Sequence, residues 1–329
     1  MATVLPPSPP ASPLDTLTPE LLAAARRHPN FRAAVEFHCA GRVRAQAGMD
    51  ALTLWMTRDI GRYSLASAMV ILDGQPGGVT AAALFQAAQA SGASSRGRVS
   101  QLIEQMQGQG GLTIPPGSGH WTRRRLIVHP KVIDPLTDHV KTWIRSASMV
   151  FPELQASFTH FDDRVWLVRY MAIGGLLAAQ AQYLIAPSDR PMSLFIGRDG
   201  GMAIFCDLFC RQAPDRLRLL EEAPLSRKGL AARTGVSRTQ IQRLLSDGEG
   251  QGLFTCSRDV VHFTEKMSED AERHFALTLH LTRIAVSVAP LAERPADADA
   301  PPAQAFGGEA PGARPMHISA NLAPGGIQR

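Results

Sequence analysis

Two stretches of this 329-residue chain carry side chains suited to hydrogen bonding with a polyanion. In the first, Val99, Leu102, Ile103 and Met106 recur at the i, i+3, i+4, i+7 spacing of a helix with one buried face. That helix then turns Arg98, Ser100, Gln101 and Gln105 outward. In the second stretch Ile241, Leu244 and Leu245 point inward, leaving Thr239, Gln240, Gln242, Arg243 and Ser246 outside. Arginine can hold guanine, and glutamine adenine, by paired hydrogen bonds in the major groove of a duplex. Serine and threonine serve base or phosphate. Ser95-Arg96 and Ser237-Arg238 open the two helices, where exposed N–H groups and the helix dipole favour phosphate. Serine is also a good N-cap, so these pairs have a structural use as well. Arg123, Arg124 and Arg125 follow the first helix, and Arg258 follows the second. These groups recognise charge and shape; they do not make or break bonds.

Four common motifs of bond-making or cofactor-binding sites do not occur. There is no G-x-x-x-x-G-K-[ST], no G-x-G-x-x-G after a strand, no H-E-x-x-H and no G-x-S-x-G. Gly117-Ser118-Gly119 reads as a hairpin tip, and His160-Phe161-Asp162-Asp163 as a turn that starts a helix with acids at its positive end. Cys39, Cys206, Cys210 and Cys256 form neither C-x-x-C pairs nor a zinc spacing, which fits a reducing interior. Cys206 and Cys210, one helical turn apart, read as small buried hydrophobes. His129 and His262 read as strand residues. The expectation is a protein that is not an enzyme and has no metal or cofactor.

The charge is placed unevenly. The chain carries a formal +5, and between Val79 and Lys131 six basic residues face the single acid Glu104, so one segment holds the whole excess. From Pro224 to His262, Arg227, Lys228, Arg233, Arg238, Arg243 and Arg258 stand against Asp247, Glu249 and Asp259. Basic charge concentrated on two such elements is the electrostatic footprint of a duplex binder.

The elements that position these groups occur twice. Leu52 to Gly61 matches Met192 to Gly201, each reading as a short apolar strand that ends in Arg-Asp-x-Gly, and Ser95 to Ile103 matches Ser237 to Leu245. Gly108-Gln109-Gly110 and Thr113 match Gly250-Gln251-Gly252 and Thr255. In each copy the order predicts a helix (63–72 and 202–211), a second helix capped by Thr80 or Ser226, a tight turn, and the outward-reading helix. A β-hairpin (112–128 and 254–263) and a final helix (136–150 and 269–285) follow. That order is a winged helix-turn-helix. The fold expected is mainly α with small β-hairpin wings, an internal duplication arranged around helices at 17–28, 31–44 and 165–185.

Three stretches carry a resemblance to a known family. They are Tyr63 to Leu72 leading to Val79-Thr80, Ser95 to Leu112 ending in Gly-Gly-Leu-Thr, and Arg123 to Arg125 followed by Leu126 to Lys131. Each copy resembles a winged-helix domain of the MarR type, bacterial transcription regulators that bind palindromic DNA as dimers. The chain departs from the family in holding two copies. It has Thr122 or Trp121 near the place of a wing aspartate, and Gln107-Gly108-Gln109 where charged residues are usual. The resemblance implies double-stranded DNA as partner and a possible small-molecule effector between the DNA-binding and dimerisation parts.

The expected organisation is a Pro-rich disordered terminus (1–16), a helical lead-in with the first winged helix (17–150), a linker helix with the second (151–289), and a disordered tail (290–329). No basic region leading into an apolar run opens the chain, and Val165 to Ala186 is interrupted by Arg169 and glutamines. A cytoplasmic, nucleoid-associated protein without a membrane span is therefore expected, either a monomer acting as a pseudo-dimer or a homodimer. The alternative reading is a winged-helix interaction or assembly module that lacks sequence-specific DNA binding.

Overall fold

Side-chain acceptors placed just before apolar helical runs set where most elements begin. The computed structural model describes residues 13–91, 95–117, 120–180 and 190–289, and these are mainly helical with two small antiparallel three-stranded sheets. The Thr18 hydroxyl and Pro19 start α1 (Pro19–Arg27), which leads into α2 (Phe31–Gly48). Asp50 caps α3 (Ala51–Thr57) and Asp59 caps α4 (Ile60–Asp73), accepting backbone N–H bonds from Thr53 at 2.7 Å and Arg62 at 2.9 Å. After β1 (Val79–Thr80), the Thr80 hydroxyl caps α5 (Ala81–Ser91) and Ser95 caps α6 (Arg96–Gly108). Then come β2 (Leu112–Thr113), β3 (Arg125–Val128) and α7 (Pro130–Ser148).

The same order returns after α8 (Arg164–Gln180). It runs α9 (Ser193–Ile196), α10 (Gly201–Phe209), β4 (Glu222–Pro224), α11 (Arg227–Thr234), α12 (Arg238–Gly250), β5 (Phe254–Cys256), β6 (Val260–Phe263) and α13 (Glu265–Val288). The sheets have matching strand orders, β1-β3-β2 and β4-β6-β5, with Val79 opposite Leu126 in one and Ala223 opposite Val261 in the other. The repeated Gly-Gln-Gly is a pair of identical helix ends. Gln109 and Gln251 are C-caps, and Gly110 and Gly252 follow at φ +64° and +65°, a left-handed conformation that favours glycine.

Several expectations are corrected. The runs at 52–57 and 192–196 are helices, not strands. Leu52, Thr53 and Met56 are buried at helical spacing behind the Asp50 cap, and such short runs do not separate a period of 2 from one of 3.6. Each sheet also has a third strand, β1 or β4, of two or three residues, too short to show alternation. Helix α7 starts at Pro130, because Val132 and Ile133 are buried ahead of Pro135. His129 lies past β3 as the residue before α7, and its ring meets the Thr113 hydroxyl at 2.8 Å. Pro13–Thr16 form a 3-10 turn whose Leu14 packs on the first core, so the expected disorder does not extend over 1–16. Residues 1–12 and the expected tail, 290–329, lie outside the described residues, as do 92–94 of the first expected tight turn and 181–185 of the helix expected to reach 185.

Among the described residues there are two apolar cores, and they do not follow a boundary at residue 150. One joins α3 to α6, the first sheet and α8 around Met56, Met69, Leu84, Leu102 and Met106. The other joins α10 to α12 and the second sheet, but it also takes Ala25, Phe31, Ala34, Val35 and Cys39 from α1 and α2. Helix α13 serves both, giving Phe275 and Leu279 to one and Leu277, Leu281 and Ala285 to the other. The halves are therefore one packed unit. Phe275 is fully buried against the rings of Trp143, Phe205 and His38, with centroids 6.3, 5.9 and 6.1 Å away. Phe275→Ala should cost about 3–5 kcal/mol in urea unfolding, since the cavity would open at this junction; a loss below about 1 kcal/mol would mean the helices repack around it. Among the described residues no helix is long and apolar enough to cross a membrane.

Candidate nucleic-acid interface

The buried stripe of α6 is Val99, Leu102, Ile103 and Met106. Arg96, Arg98, Gln101 and Gln105 are therefore exposed on its other faces, and Ser100 is half-buried at the edge. Ser95 accepts the Arg98 backbone N–H at 3.4 Å, so its hydroxyl serves the helix start. The Arg96 guanidinium lies 5.2 Å from the centre of the Phe85 ring, which orients it while leaving its N–H edges open.

Helix α12 buries Ile241, Leu244, Leu245 and Gly248 and exposes Arg238, Thr239, Gln242, Arg243 and Ser246. Gln240 departs from this pattern. It is half-buried, its Oε1 closes a capping box with Ser237, and its Nε2 donates to Asp199 Oδ2 at 3.3 Å. Gln240 and the Ser237 hydroxyl are thus engaged in holding the start of α12. Gly248 is the tightest point of the packing here: a Cβ would sit 2.0 Å from the Phe254 ring.

In the hairpins, Arg123 and Arg125 are exposed and Arg124 is half-buried. Trp121–Arg123 form a 3-10 turn that packs against α5, so this part of the hairpin lies against that helix. The tip residues 118–119 fall outside the described residues. Arg125 is steered by Gly78, whose φ of +61° leaves room for the guanidinium: a Cβ there would lie 2.5 Å from Arg125 Nε. The second hairpin turns at Ser257, Arg258 and Asp259, all exposed.

Electrostatics separate these arginines from many others. Among the described residues, Arg96, Arg98, Arg123, Arg125, Arg238, Arg243 and Arg258 have no carboxylate within 4.0 Å. Elsewhere Arg26, Arg62, Arg211 and Arg283 are each paired with Asp or Glu, and within the second segment Arg233 is paired with Asp207. The acids of the second segment are also less free than counting suggests. Asp247 pairs with Arg198 from outside the segment, and Glu249 accepts the Cys256 backbone N–H at 2.7 Å. Sequence reasoning missed Arg198 and Asp199, because pairing across 40 or more positions leaves no local signal. The Arg-Asp-x-Gly repeat was the one hint.

A cavity of about 500 Å³ lies between α2, α3 and α7, with Arg42, Arg44, Asp50, Tyr63, Lys131, Asp134 and His139 among its lining. Arg42 donates to the Thr57 carbonyl at 3.1 Å, while its buried Nε has no acceptor among the described residues. Burial drives the His139 pKa down to about 3, with the Arg42 charge acting the same way, and His139 Nε2 accepts the Trp143 indole N–H at 3.1 Å. His38 stacks on Trp143 at 3.5 Å between centroids and is held well below its ordinary pKa, first by burial and then by His139, Arg42 and His274. Both histidines are therefore neutral in the folded protein.

The remaining motifs resolve as structure. Asp163 accepts the N–H groups of Val165 and Trp166 and so caps α8. Cys206 is buried against Cys39, whereas Cys210 is exposed, in contrast to the expectation that both are buried. No group of three or more metal-ligating side chains occurs among the described residues. Comparison with protein-family models, with curated proteins and with solved structures yields no match.

Proposed function

We propose that this protein is a transcriptional regulator that binds double-stranded DNA through two non-identical winged helix-turn-helix modules carried in one chain. The observation that carries the reading is the pair of capped helices, α6 and α12. Each buries an apolar stripe and exposes arginine and polar side chains whose charges no carboxylate neutralises among the described residues. In this reading α6 and α12 enter successive major grooves, roughly 34 Å apart, as the recognition helices of a two-fold dimer do. One chain then acts as a pseudo-dimer on a pseudo-palindromic site in the cytoplasm, and it acts by occupancy without chemistry. Arg98, Gln101, Gln105, Gln242 and Arg243 read bases; Arg96, Arg238, Arg258 and the hairpin arginines 123–125 hold phosphates. Ser95, Ser100, Ser237, Thr239 and Gln240 support them. The cavity beside Arg42 and Lys131 offers an effector both cationic and anionic partners.

The test begins with DNA recovered from a random library. Arg98→Ala and Gln101→Ala should each cost ~1–3 kcal/mol on the recovered sequence and relax preference at one base position. If the library yields no enriched sequence and the helix faces instead capture protein, the interaction-module reading holds.

A further inference from the structure

The two Arg-Asp-x-Gly turns are alike in sequence and used differently. In the first, Asp59 caps its own helix, accepting the Arg62 N–H at 2.9 Å. In the second, the cap position of α10 is Gly200, at φ +73°, and Asp199 makes no cap bond. Gly200 is required there, since a Cβ would lie 2.2 Å from Val236 Cγ2. Released from capping, Asp199 points across to the first half. Its Oδ1 accepts from Arg62 at 2.8 Å, its Oδ2 is 3.4 Å from the Arg58 guanidinium, and the same Oδ2 accepts from Gln240 Nε2 at 3.3 Å. The Gly200 N–H, also freed, donates to the Arg58 carbonyl at 2.7 Å. Arg62 is itself held over the Trp55 ring at 4.8 Å. One partly buried carboxylate thus ties the α3–α4 turn of the first half to the first turn of α12 in the second.

We propose that Asp199 is a positioning residue that sets the separation and rotation of the two recognition helices, and through them the spacing between half-sites that the protein accepts. This rests on the DNA-binding reading above. It adds that spacing selectivity resides in a three-way tie of Arg58, Arg62 and Gln240 on Asp199, and not in the packing of α2, α7 and α13 alone. Interactions shared by three partners couple non-additively, so loss of the carboxylate releases all of them at once.

The experiment uses the full chain and a set of duplexes in which the spacer between half-sites varies by one or two base pairs. The wild type should prefer one spacer over its neighbours by about tenfold or more, as expected when one of two modules is displaced from its groove. Asp199→Ala should reduce that ratio to roughly twofold while leaving affinity for an isolated half-site unchanged. Asp199→Glu should restore part of it. The double variant Arg58→Gln/Arg62→Gln approaches the same tie from the other side and keeps the test valid if Asp199→Ala does not fold. Pulsed electron-spin distances between labels encoded at the exposed positions Glu104 and Ser246 read the coupling without DNA, and should be narrow in the wild type and broad in both variants. Unchanged spacer preference with an unchanged distance distribution would overturn the proposal. A wild type that binds no duplex, with distances that broaden as expected, would remove the DNA reading and leave the tie in place.

Discussion

Lowering the pH from 7 to 4 should remove several kcal/mol of folding stability, most of it through buried histidines. His139, neutral in the folded state with a pKa near 3, and His38, held well below its ordinary value, stay unprotonated while their unfolded counterparts titrate near 6.5. Between those values the unfolded chain binds protons that the folded chain does not, so their contribution is fully present above about pH 6.5 and is lost as the pH falls toward 3. His139 contributes a slope of about 1.4 kcal/mol per pH unit, or about 3 kcal/mol between pH 6.5 and 4, and His38 acts in the same direction. Against a total of roughly 5–15 kcal/mol this is large. The loss falls where α2, α7 and α13 meet and both cores join, so the halves should uncouple together. Urea unfolding at pH 7, 5.5 and 4.5 measures it, and His139→Gln, which keeps an acceptor for the Trp143 indole, should flatten the slope. Stability that is constant from pH 7 to 5 would mean that these rings take up protons without disrupting their packing.

What could be read from the sequence was local. Ser95, Ser226 and Ser237 cap the helices they precede, and the Gly-Gln-Gly repeats end them in left-handed turns. The apolar stripes of α6 and α12 are buried as their spacing demands. These features depend on contacts within one or two helical turns. Features made by distant parts of the chain were not legible. The lead-in helices cross to the second core, α13 serves both, Arg198 neutralises Asp247, and Gln240 turns to Asp199 instead of outward. An outward position on a helical wheel says that a side chain leaves its own helix's core. Whether it meets solvent or another element depends on what packs beside it, and Gln240 meets the other half of the molecule.

Replacing Arg123 and Arg125 together with alanine should weaken duplex binding nearly equally for all sequences. Both side chains are exposed and without a carboxylate partner among the described residues. Each phosphate they neutralise releases condensed counterions, and each lost contact should reduce the slope of log K against log salt by about 0.9. The double variant should therefore bind with a slope shallower by roughly 2 while its preferred sequence is kept. A changed preference would mean that these side chains read bases, and an unchanged slope would place them away from the DNA.

On the proposed function, the exposed faces of α6 and α12, with the hairpin arginines, engage the backbone of a duplex. The affinity of the full chain for its selected duplex, measured across 50 to 200 mM salt, tests this most directly. Six to ten phosphate contacts predict a fall of roughly 10³ to 10⁵ over that range. An affinity that does not change with salt, or no binding to any duplex at the lowest salt, would contradict it.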